Sequence, residues 1–386
     1  MCAMRVAVLT NEYPPEVYGG AGVHVDFLVR ELRRLVDVEV HAFGKPRPDA
    51  RAYTPPESLA NANGAIRALS IDLEMANGIG DVSVVHSHTW YANLGGHLAK
   101  LLHDKPHVVT AHSLEPLRPW KAEQLGGGYR ISSWAERTAF EGADAVIAVS
   151  NGMREDVLTA YPALDAGRIH VVHNGVDTEL YSPTTDDAAL HQVGIDTDRP
   201  YILYVGRITR QKGITHLLAA AERIDKNIQL VLCASAPDTP EIAAEVTERI
   251  ERLRAAGHTV LHQTEMLPRE DVISLLSHAA VFACPSVYEP LGIVNLEAMA
   301  CRAPVVASAV GGIPEVVQDG VTGLLVPYTP DDLPAFEAGL ADALAEVVGN
   351  PLRGSELGRA GRQRAVDLFS WEAIAEQTLT VYMSLG

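Results

Sequence analysis

The feature that most constrains the fold is a pair of successive series of short apolar runs, separated by segments with helical periodicity. Parallel strands need long crossover connections, so this alternation is typical of parallel sheets covered by helices. The first series lies at 5–10, 36–43, 82–86, 107–111, 145–149 and 170–173, and the second at 201–205, 229–234, 259–262, 281–283, 305–307 and 324–326. A turn-rich stretch at 174–183 separates them. The sequence therefore predicts two doubly wound α/β domains in tandem.

Composition narrows the class of protein further. A length of 386 residues suits two domains, and 47% hydrophobic residues suffice for two buried cores. The net charge of −18 argues against nucleic acid or an anionic membrane as a bulk partner. No apolar run approaches the roughly 20 residues of a membrane-spanning helix, and the N-terminus shows no secretory pattern.

The cysteines indicate the compartment. Cys2, Cys233, Cys284 and Cys301 have neither disulfide nor metal-site spacing, and three of them lie in apolar segments. We interpret these three as small buried hydrophobic residues. A reducing cytoplasm is therefore the expected location.

The stretch 284–301, CPSVYEPLGIVNLEAMAC, carries the strongest functional signal. We predict a strand, a short loop, and a helix with Pro290 in its first turn, which leaves the N–H groups of Leu291 and Gly292 free to bind phosphate. Glu289 and Glu297 flank these amides, and carboxylates accept hydrogen bonds from sugar hydroxyls. Hydrogen-bond donors for phosphate, flanked by hydrogen-bond acceptors for sugar hydroxyls, match the chemical groups of a nucleotide sugar. The alternative is an ordinary loop with solvated glutamates.

Two glycines follow the first strand of the first half, and two cations follow the first strand of the second half. Arg207 and Lys212 can hold a diphosphate and neutralise a departing nucleotide, although two solvated cations remain the alternative. Gly19 and Gly20 allow a ligand to approach the backbone, but a plain tight turn explains them equally well. The sequence contains no GxGxxG fingerprint, so a nicotinamide or flavin dinucleotide loses its main support.

Histidines and aromatic residues follow two other strands of the first half. His86, His88, Trp90 and Tyr91 follow the third predicted strand, and His112 follows the fourth. Such side chains suit the binding of sugars, although a single histidine is more often structural. No HExxH motif or suitably placed carboxylate accompanies them, so we predict no metal site.

These motifs together resemble the retaining glycosyltransferases of GT-B architecture, in the family (family four) that includes glycogen-synthase-like and sucrose-synthase-like enzymes. The resemblance covers essentially the whole chain. It is carried by Gly19-Gly20, His112, Asn174-Gly175-Val176-Asp177, Gly206-Arg207, Lys212-Gly213, the EPxGxxxxE pattern from Glu289 to Glu297, and Phe369-Ser370-Trp371.

The resemblance implies a domain organisation. Two Rossmann-like domains are expected to face each other across a deep cleft, with the acceptor side at 1–180 and the nucleotide-sugar donor domain at 181–369. A C-terminal helix within 370–386 is expected to cross back onto the first domain.

The resemblance also implies an activity. The opening NEYPPEVYGGAGVHV is most similar to actinobacterial enzymes of this family that transfer glucose from ADP-glucose to α-glucose 1-phosphate. They form α-1,4-linked maltose 1-phosphate for glycogen and α-glucan synthesis, with retention and without a metal cofactor. Longer polymer-building glycogen synthases carry a lysine where Val17 stands here.

Other functions remain open at this point. On the same scaffold, the chain could elongate an α-glucan or use inositol phosphate as acceptor. From other classes, a nucleotide-sugar epimerase and a non-catalytic nucleotide-sugar binding protein are the competing hypotheses. The nucleobase has no clear signature, and a homodimer is a hypothesis only.

Residue roles follow from the resemblance. Its implied catalytic set is His112, Arg207, Lys212 and Glu289, and its implied donor-binding set is Gly19, Gly20, Leu291, Gly292, Ile293 and Glu297. Glu289 would bind the transferred glucose and Glu297 the ribose. For the acceptor we predict Trp90 and Tyr91 as a sugar platform and Lys121 and Arg130 as phosphate-binding cations. A mobile surface loop explains the two cations equally well.

Overall fold

The chain divides into two compact units. The computed structural model describes residues 4–17, 19–118, 126–235 and 237–385. The first unit is Met1–Gly175 with Trp371–Gly386, and the second is Val176–Ser370. The predicted boundaries lay at 180/181 and 369/370. Val176 belongs to the second unit because its N–H donates to the carbonyl of Phe369 at 2.8 Å and its backbone bridges to Ser370.

The first unit contains a parallel sheet with the order β3-β2-β1-β4-β5-β6-β7 in the described residues. Its strands are β1 (Arg5–Thr10), β2 (Asp37–Phe43), β3 (Arg51–Tyr53), β4 (Val84–His88), β5 (His107–Ala111), β6 (Ala145–Ala148) and β7 (Ile169–Val171). Its first helices are α1 (Gly20–Leu32), α2 (Gly64–Gly78), α3 (Thr89–His103), α4 (Gly128–Gly142) and α5 (Asn151–Ala160). The central strands β4 and β5 are buried along their whole length, as expected for a sheet covered on both faces.

The second unit repeats this architecture with the strand order β10-β9-β8-β11-β12-β13. Its strands are β8 (Tyr201–Arg207), β9 (Gln229–Ser235), β10 (Thr259–Gln263), β11 (Val281–Cys284), β12 (Val305–Ser308) and β13 (Gly323–Val326). Its helices are α6 (Ala188–Val193), α7 (Ile214–Ala221), α8 (Pro240–Ala255), α9 (Arg269–His278), α10 (Ile293–Ala300), α11 (Ile313–Val316), α12 (Leu333–Gly349) and α13 (Pro351–Leu368).

The last helix, α14 (Trp371–Met383), belongs to the first unit. Trp371 stacks on Phe27 of α1 with ring centroids 5.7 Å apart, and Ile374, Ala375 and Tyr382 are buried in the same core. The phenol of Tyr382 lies 2.6 Å from Nδ1 of His86 on β4. The first unit is therefore completed by residues that follow the whole second unit in sequence.

The structure confirms the predicted doubly wound domains and the approximate position of every predicted strand. It corrects two points. The three-residue strand β3 was missed, because it is too short to show a periodic pattern. The predicted end of β4 at His86 was wrong: the strand continues to His88, because His86 and Ser87 satisfy their buried polar atoms with hydrogen bonds to Thr110 and His107.

No helix among the described residues combines the length and the apolar composition that a membrane crossing requires.

Candidate active site

The turn between β8 and α7 positions both predicted cations in the second unit. Arg207 is the last residue of β8, and Lys212 lies in the turn that precedes α7. The Lys212 N–H donates to Oγ1 of Thr209 at 3.1 Å, which holds the turn. The turn therefore displays a guanidinium and an ammonium at the carboxyl end of a central strand, the edge where open α/β sheets bind ligands.

Lys212 and Glu289 form the central ion pair of this site. Lys212 Nζ lies 2.6 Å from Glu289 Oε2, and the two side chains are 23% and 8% exposed. Ser286 Oγ donates a second hydrogen bond to the same carboxylate oxygen at 3.1 Å. A pair so shielded from water fixes the geometry of both groups. The sequence predicted both residues for one ligand but did not predict that they contact each other.

Close backbone packing holds the Lys212 turn against the segment after β11. Gly213, which precedes α7, has a φ of +64°, and a Cβ at this position would lie 1.9 Å from the carbonyl oxygen of Pro285. The Val287 N–H donates to the carbonyl of Gln211 at 2.9 Å. Only glycine combines this φ with so close an approach, so Gly213 fixes how Lys212 meets Glu289.

The helix after Glu289 begins later than predicted. α10 begins at Ile293, and Gly292 caps it with a φ of +90°, so Pro290 is not in its first turn. Leu291 is buried and precedes the cap. The backbone at Gly292 needs a left-handed conformation, which ends the loop at that residue. The amides of the first helical turn are therefore those of Ile293 and Val294, and of the predicted phosphate contacts Ile293 is the one inside the helix.

Arg207 has a carboxylate partner that the sequence analysis missed. Its guanidinium lies 3.3 Å from Oδ1 of Asp238, whose side chain is 12% exposed. Asp238 follows β9 with no motif around it, so no local signal marked it. The pair leaves Arg207 about one-third exposed, which keeps part of the guanidinium available to a ligand.

Glu297 lies one turn into α10 and interacts with Tyr181. Burial raises the pKa of Glu297 to about 7, against the smaller opposing effects of the Tyr181 hydrogen bond and the positive charges of Arg269 and Lys212. Glu297 is therefore close to half-protonated at neutral pH, and any ligand that donates hydrogen bonds to it favours the ionised form.

The first unit brings His112 into a histidine cluster made of His24, His86, His88 and His112. His88 Nδ1 lies 2.9 Å from His112 Nε2, and the ring centroids of His24 and His112 are 4.7 Å apart. Burial lowers the pKa of His112 well below its usual range, and the neighbouring His24 and His86 lower it further. His112 is therefore a neutral imidazole. The cluster was missed because its members are up to 88 residues apart in sequence.

Backbone strain accompanies this cluster. Thr89 follows His88 with a φ of +64°, an unfavourable conformation for a β-branched residue. Thr89 Oγ1 donates to Oδ1 of Asn11 at 2.8 Å, which helps to hold that conformation. Strain of this kind is concentrated at functional sites.

The first of the paired glycines, Gly19, contacts a carboxylate in the described structure. Gly20 begins α1, and the Gly19 N–H donates to Oε2 of Glu12 at 2.8 Å. Glu12 is 5% exposed and lies so close to α1 that a Cβ at Gly22 would be 2.7 Å from it. The carboxylate of Glu12 therefore sets the path of this loop. The predicted contact of Gly19 and Gly20 with diphosphate stays a prediction.

The predicted acceptor residues fall into different environments. Trp90 is 3% exposed and stacks on Tyr91 with ring centroids 4.1 Å apart, so its ring belongs to the core and only Tyr91 retains an accessible surface for a sugar. Arg130 is an exposed residue of α4, and Lys121 lies outside the described residues. The structure thus narrows the predicted sugar platform to Tyr91.

Both halves of the chain match models of glycosyltransferase families. Residues 18–180 match the model described as Glycosyltransferase Family 4, and residues 186–364 match Glycosyl transferases group 1. The first match ends within the turn-rich stretch at 174–183, and the second begins just before α6.

Individual relatives agree with the family models. The chain is 60% identical to the α-maltose-1-phosphate synthase of Mycolicibacterium smegmatis, over 99% of this chain and 100% of that one. It is 56% identical to the enzyme of the same name from Mycobacterium tuberculosis, over 98% and 99%. Among solved structures, a sucrose-phosphate synthase from Thermosynechococcus elongatus superposes with a TM-score of 0.77 at 27% identity, over 99% of each chain.

Proposed function

Because this chain belongs to the GT-B glycosyltransferases, we propose that it transfers glucose from ADP-glucose to α-glucose 1-phosphate and forms α-1,4-linked maltose 1-phosphate with retention. One observation carries the proposal: 60% identity over the full length of an enzyme named α-maltose-1-phosphate synthase. The glycosyltransferase activity follows from the family. The donor nucleotide, the acceptor and the stereochemistry are the proposed part.

The described contacts support a donor site in the second unit. The diphosphate would lie against Arg207, Lys212 and the amides of Ile293 and Val294, which together supply positive charge where the leaving ADP develops negative charge. Glu289 would accept hydrogen bonds from the glucose hydroxyls while it orients Lys212. Glu297 would accept hydrogen bonds from the ribose.

The charge supplied by these groups makes a metal unnecessary in the proposed mechanism. Lys212 and Arg207 contribute two formal positive charges, and the start of α10 contributes about half a charge more. Retention would follow from attack on the face from which ADP departs, because the proposed site includes no carboxylate assigned as a nucleophile. His112, as a neutral imidazole, would contact the transferred glucose without repelling the cationic character that develops at the anomeric carbon.

A donor-by-acceptor assay tests the proposal. ADP-glucose and UDP-glucose are each incubated with glucose 1-phosphate, inositol phosphate, glycogen or no acceptor, and products are identified by mass spectrometry and NMR. We expect a disaccharide phosphate with a new α-1,4 linkage from ADP-glucose and glucose 1-phosphate. Incorporation of glucose only into glycogen would reject the proposal and indicate an elongating synthase, and incorporation only into inositol phosphate would indicate another transferase. A product formed without acceptor would reject the proposal and indicate an epimerase.

Replacing Arg207 tests its role at the leaving group. We expect Arg207→Ala to lower kcat by about 10²-fold, because one of the groups that stabilise developing negative charge is lost. Arg249→Ala is the matched control: Arg249 is 32% exposed and pairs with Glu245 at 3.2 Å in the same unit. In steady-state kinetics with saturating donor, the kcat of this control should lie within about twofold of the parent value. Normal turnover in Arg207→Ala would remove Arg207 from the donor site.

The pH dependence of donor binding tests the role of Glu297. With a pKa of about 7, Glu297 is mostly protonated at pH 6 and mostly ionised at pH 8. Ribose hydroxyls donate to the ionised form, so the donor KM should fall by about tenfold from pH 6 to pH 8. Glu297→Gln should raise the donor KM and make it independent of pH over this range. A lowered kcat with an unchanged KM would contradict the ribose assignment.

A further inference from the structure

Three imidazoles converge at the carboxyl edge of the first sheet. His24 lies in α1, which follows β1; His88 ends β4; and His112 follows β5. One ring nitrogen from each lies within 4.8 Å of the other two. The strands β1, β4 and β5 are neighbours in the sheet, so the fold itself produces this convergence.

Two ring nitrogens of this group are buried without a hydrogen-bond partner. His24 Nδ1 lies 2.6 Å from Oδ1 of Asn174; an amide oxygen only accepts, so Nδ1 carries the proton and Nε2 keeps a free lone pair. His24 Nε2 and His88 Nε2 both lack a partner among the described residues, and these side chains are 2% and 0% exposed. Buried polar atoms without partners are costly, so a fold that retains two together suggests a ligand.

The donor set selects the class of ligand. Neutral imidazoles bind borderline divalent ions such as Zn²⁺, whereas Mg²⁺ and Ca²⁺ prefer oxygen. Asn174 supplies the outer hydrogen bond that commonly orients a metal-binding histidine. Bonds of about 2.05 Å put tetrahedral ligand nitrogens about 3.4 Å apart, so ring nitrogens that already lie within 4.8 Å of one another need to move by little more than 1 Å.

We propose that His24, His88 and His112 bind a single borderline divalent ion, and that the bound ion inhibits sugar transfer by occupying His112. Because His112 is partly exposed, water can reach the fourth coordination position of the ion from the side of this residue. The inhibitory part rests on the proposed function, because it requires His112 to contact the transferred sugar. The binding part does not depend on it.

Cobalt absorption tests the binding part on the full chain without any substrate. We expect one equivalent of Co²⁺ to give the intense visible bands of a tetrahedral site, and added Zn²⁺ to abolish them. His24→Gln and His88→Gln should each weaken binding by at least tenfold. His41→Gln is the matched control: His41 is a buried histidine of β2 whose ring nitrogens contact Tyr53 and Glu39, and this variant should bind like the parent.

The outcomes separate the two parts of the proposal. Absence of tetrahedral cobalt, or equal binding in the parent and both glutamine variants, would overturn the site. Circular dichroism checks that the variants fold; if they do not, X-ray absorption of the zinc-loaded parent decides by the number of coordinated imidazoles. Stoichiometric metal binding without inhibition would overturn only the inhibitory part. Failure of the maltose 1-phosphate assay would leave the metal measurement unaffected.

Discussion

Lys212→Ala is expected to lower kcat by about 10³-fold, the largest kinetic effect of any single substitution in this site. Lys212 is a cation that contacts Glu289 at 2.6 Å, and with donor bound we place it against the diphosphate. Its charge matters most when ADP departs, because negative charge then accumulates on the leaving oxygen. Single-turnover and steady-state rates with ADP-glucose would show the loss in kcat more than in KM.

The same substitution should also destabilise the second unit. It leaves the Glu289 carboxylate, whose side chain is 8% exposed, without its cation, and breaking such a pair costs about 3–5 kcal/mol. The double variant Lys212→Ala/Glu289→Gln removes the unpaired charge and should recover most of the stability but none of the activity. Recovery of both would mean that Lys212 acts only in folding.

A matched lysine separates catalysis from the general loss of an ion pair. Lys100 in the first unit contacts Asp144 at 2.7 Å and is 27% exposed, close to the values for Lys212. We expect Lys100→Ala to retain the kcat of the parent. A comparable loss of kcat in this control would contradict a special role for Lys212.

Gly213→Ala is expected to lower the unfolding free energy by about 2–5 kcal/mol. The residue would hold a φ of +64°, which costs about 1–2 kcal/mol for an L-residue, and its Cβ would lie 1.9 Å from the Pro285 carbonyl oxygen. A backbone carbonyl cannot turn aside as a flexible side chain can, so the Lys212 turn should shift. Chemical denaturation measures the stability loss, and kcat should fall with it because Lys212 moves away from Glu289.

Gly194→Ala is the control for this substitution. Gly194 caps α6 with a φ of +84°, and a Cβ there would meet no atom within 4 Å. It should carry only the conformational cost, about 1 kcal/mol, and leave kcat unchanged. Equal stability losses in the two variants would show that the backbone at Pro285 can move away from the added Cβ with little loss of folding free energy.

The sequence was informative about the fold because the strands of a parallel sheet are local apolar runs. β1 and β5 occupy the predicted residues, and most other strands differ by one or two. The start of α10 was misplaced because Pro290 and Gly292 are both helix-start signals. The left-handed backbone at Gly292 places the helix start after that residue. That conformation depends on packing against distant residues, which a local sequence pattern does not contain.

The site was less predictable, because contacts between distant residues leave no local trace. The ends of β8 and β11 marked Arg207, Lys212 and Glu289 as one group, but neither the Lys212–Glu289 contact nor the Asp238 partner of Arg207 follows from spacing. The histidine cluster depends on the order of β1, β4 and β5 in the sheet. Burial of Trp90 similarly depends on its neighbours in α2, which the sequence does not specify.

The return of α14 to the first unit has a consequence for biosynthesis. While the ribosome translates residues 176–370, the earlier 175 residues lack the helix that supplies Trp371 and Tyr382 to their core. The nascent first unit thus keeps part of its apolar surface uncovered until α14 has been translated. Ribosome-bound chains arrested before residue 371 should therefore be more sensitive to protease within the first unit than released chains that include α14.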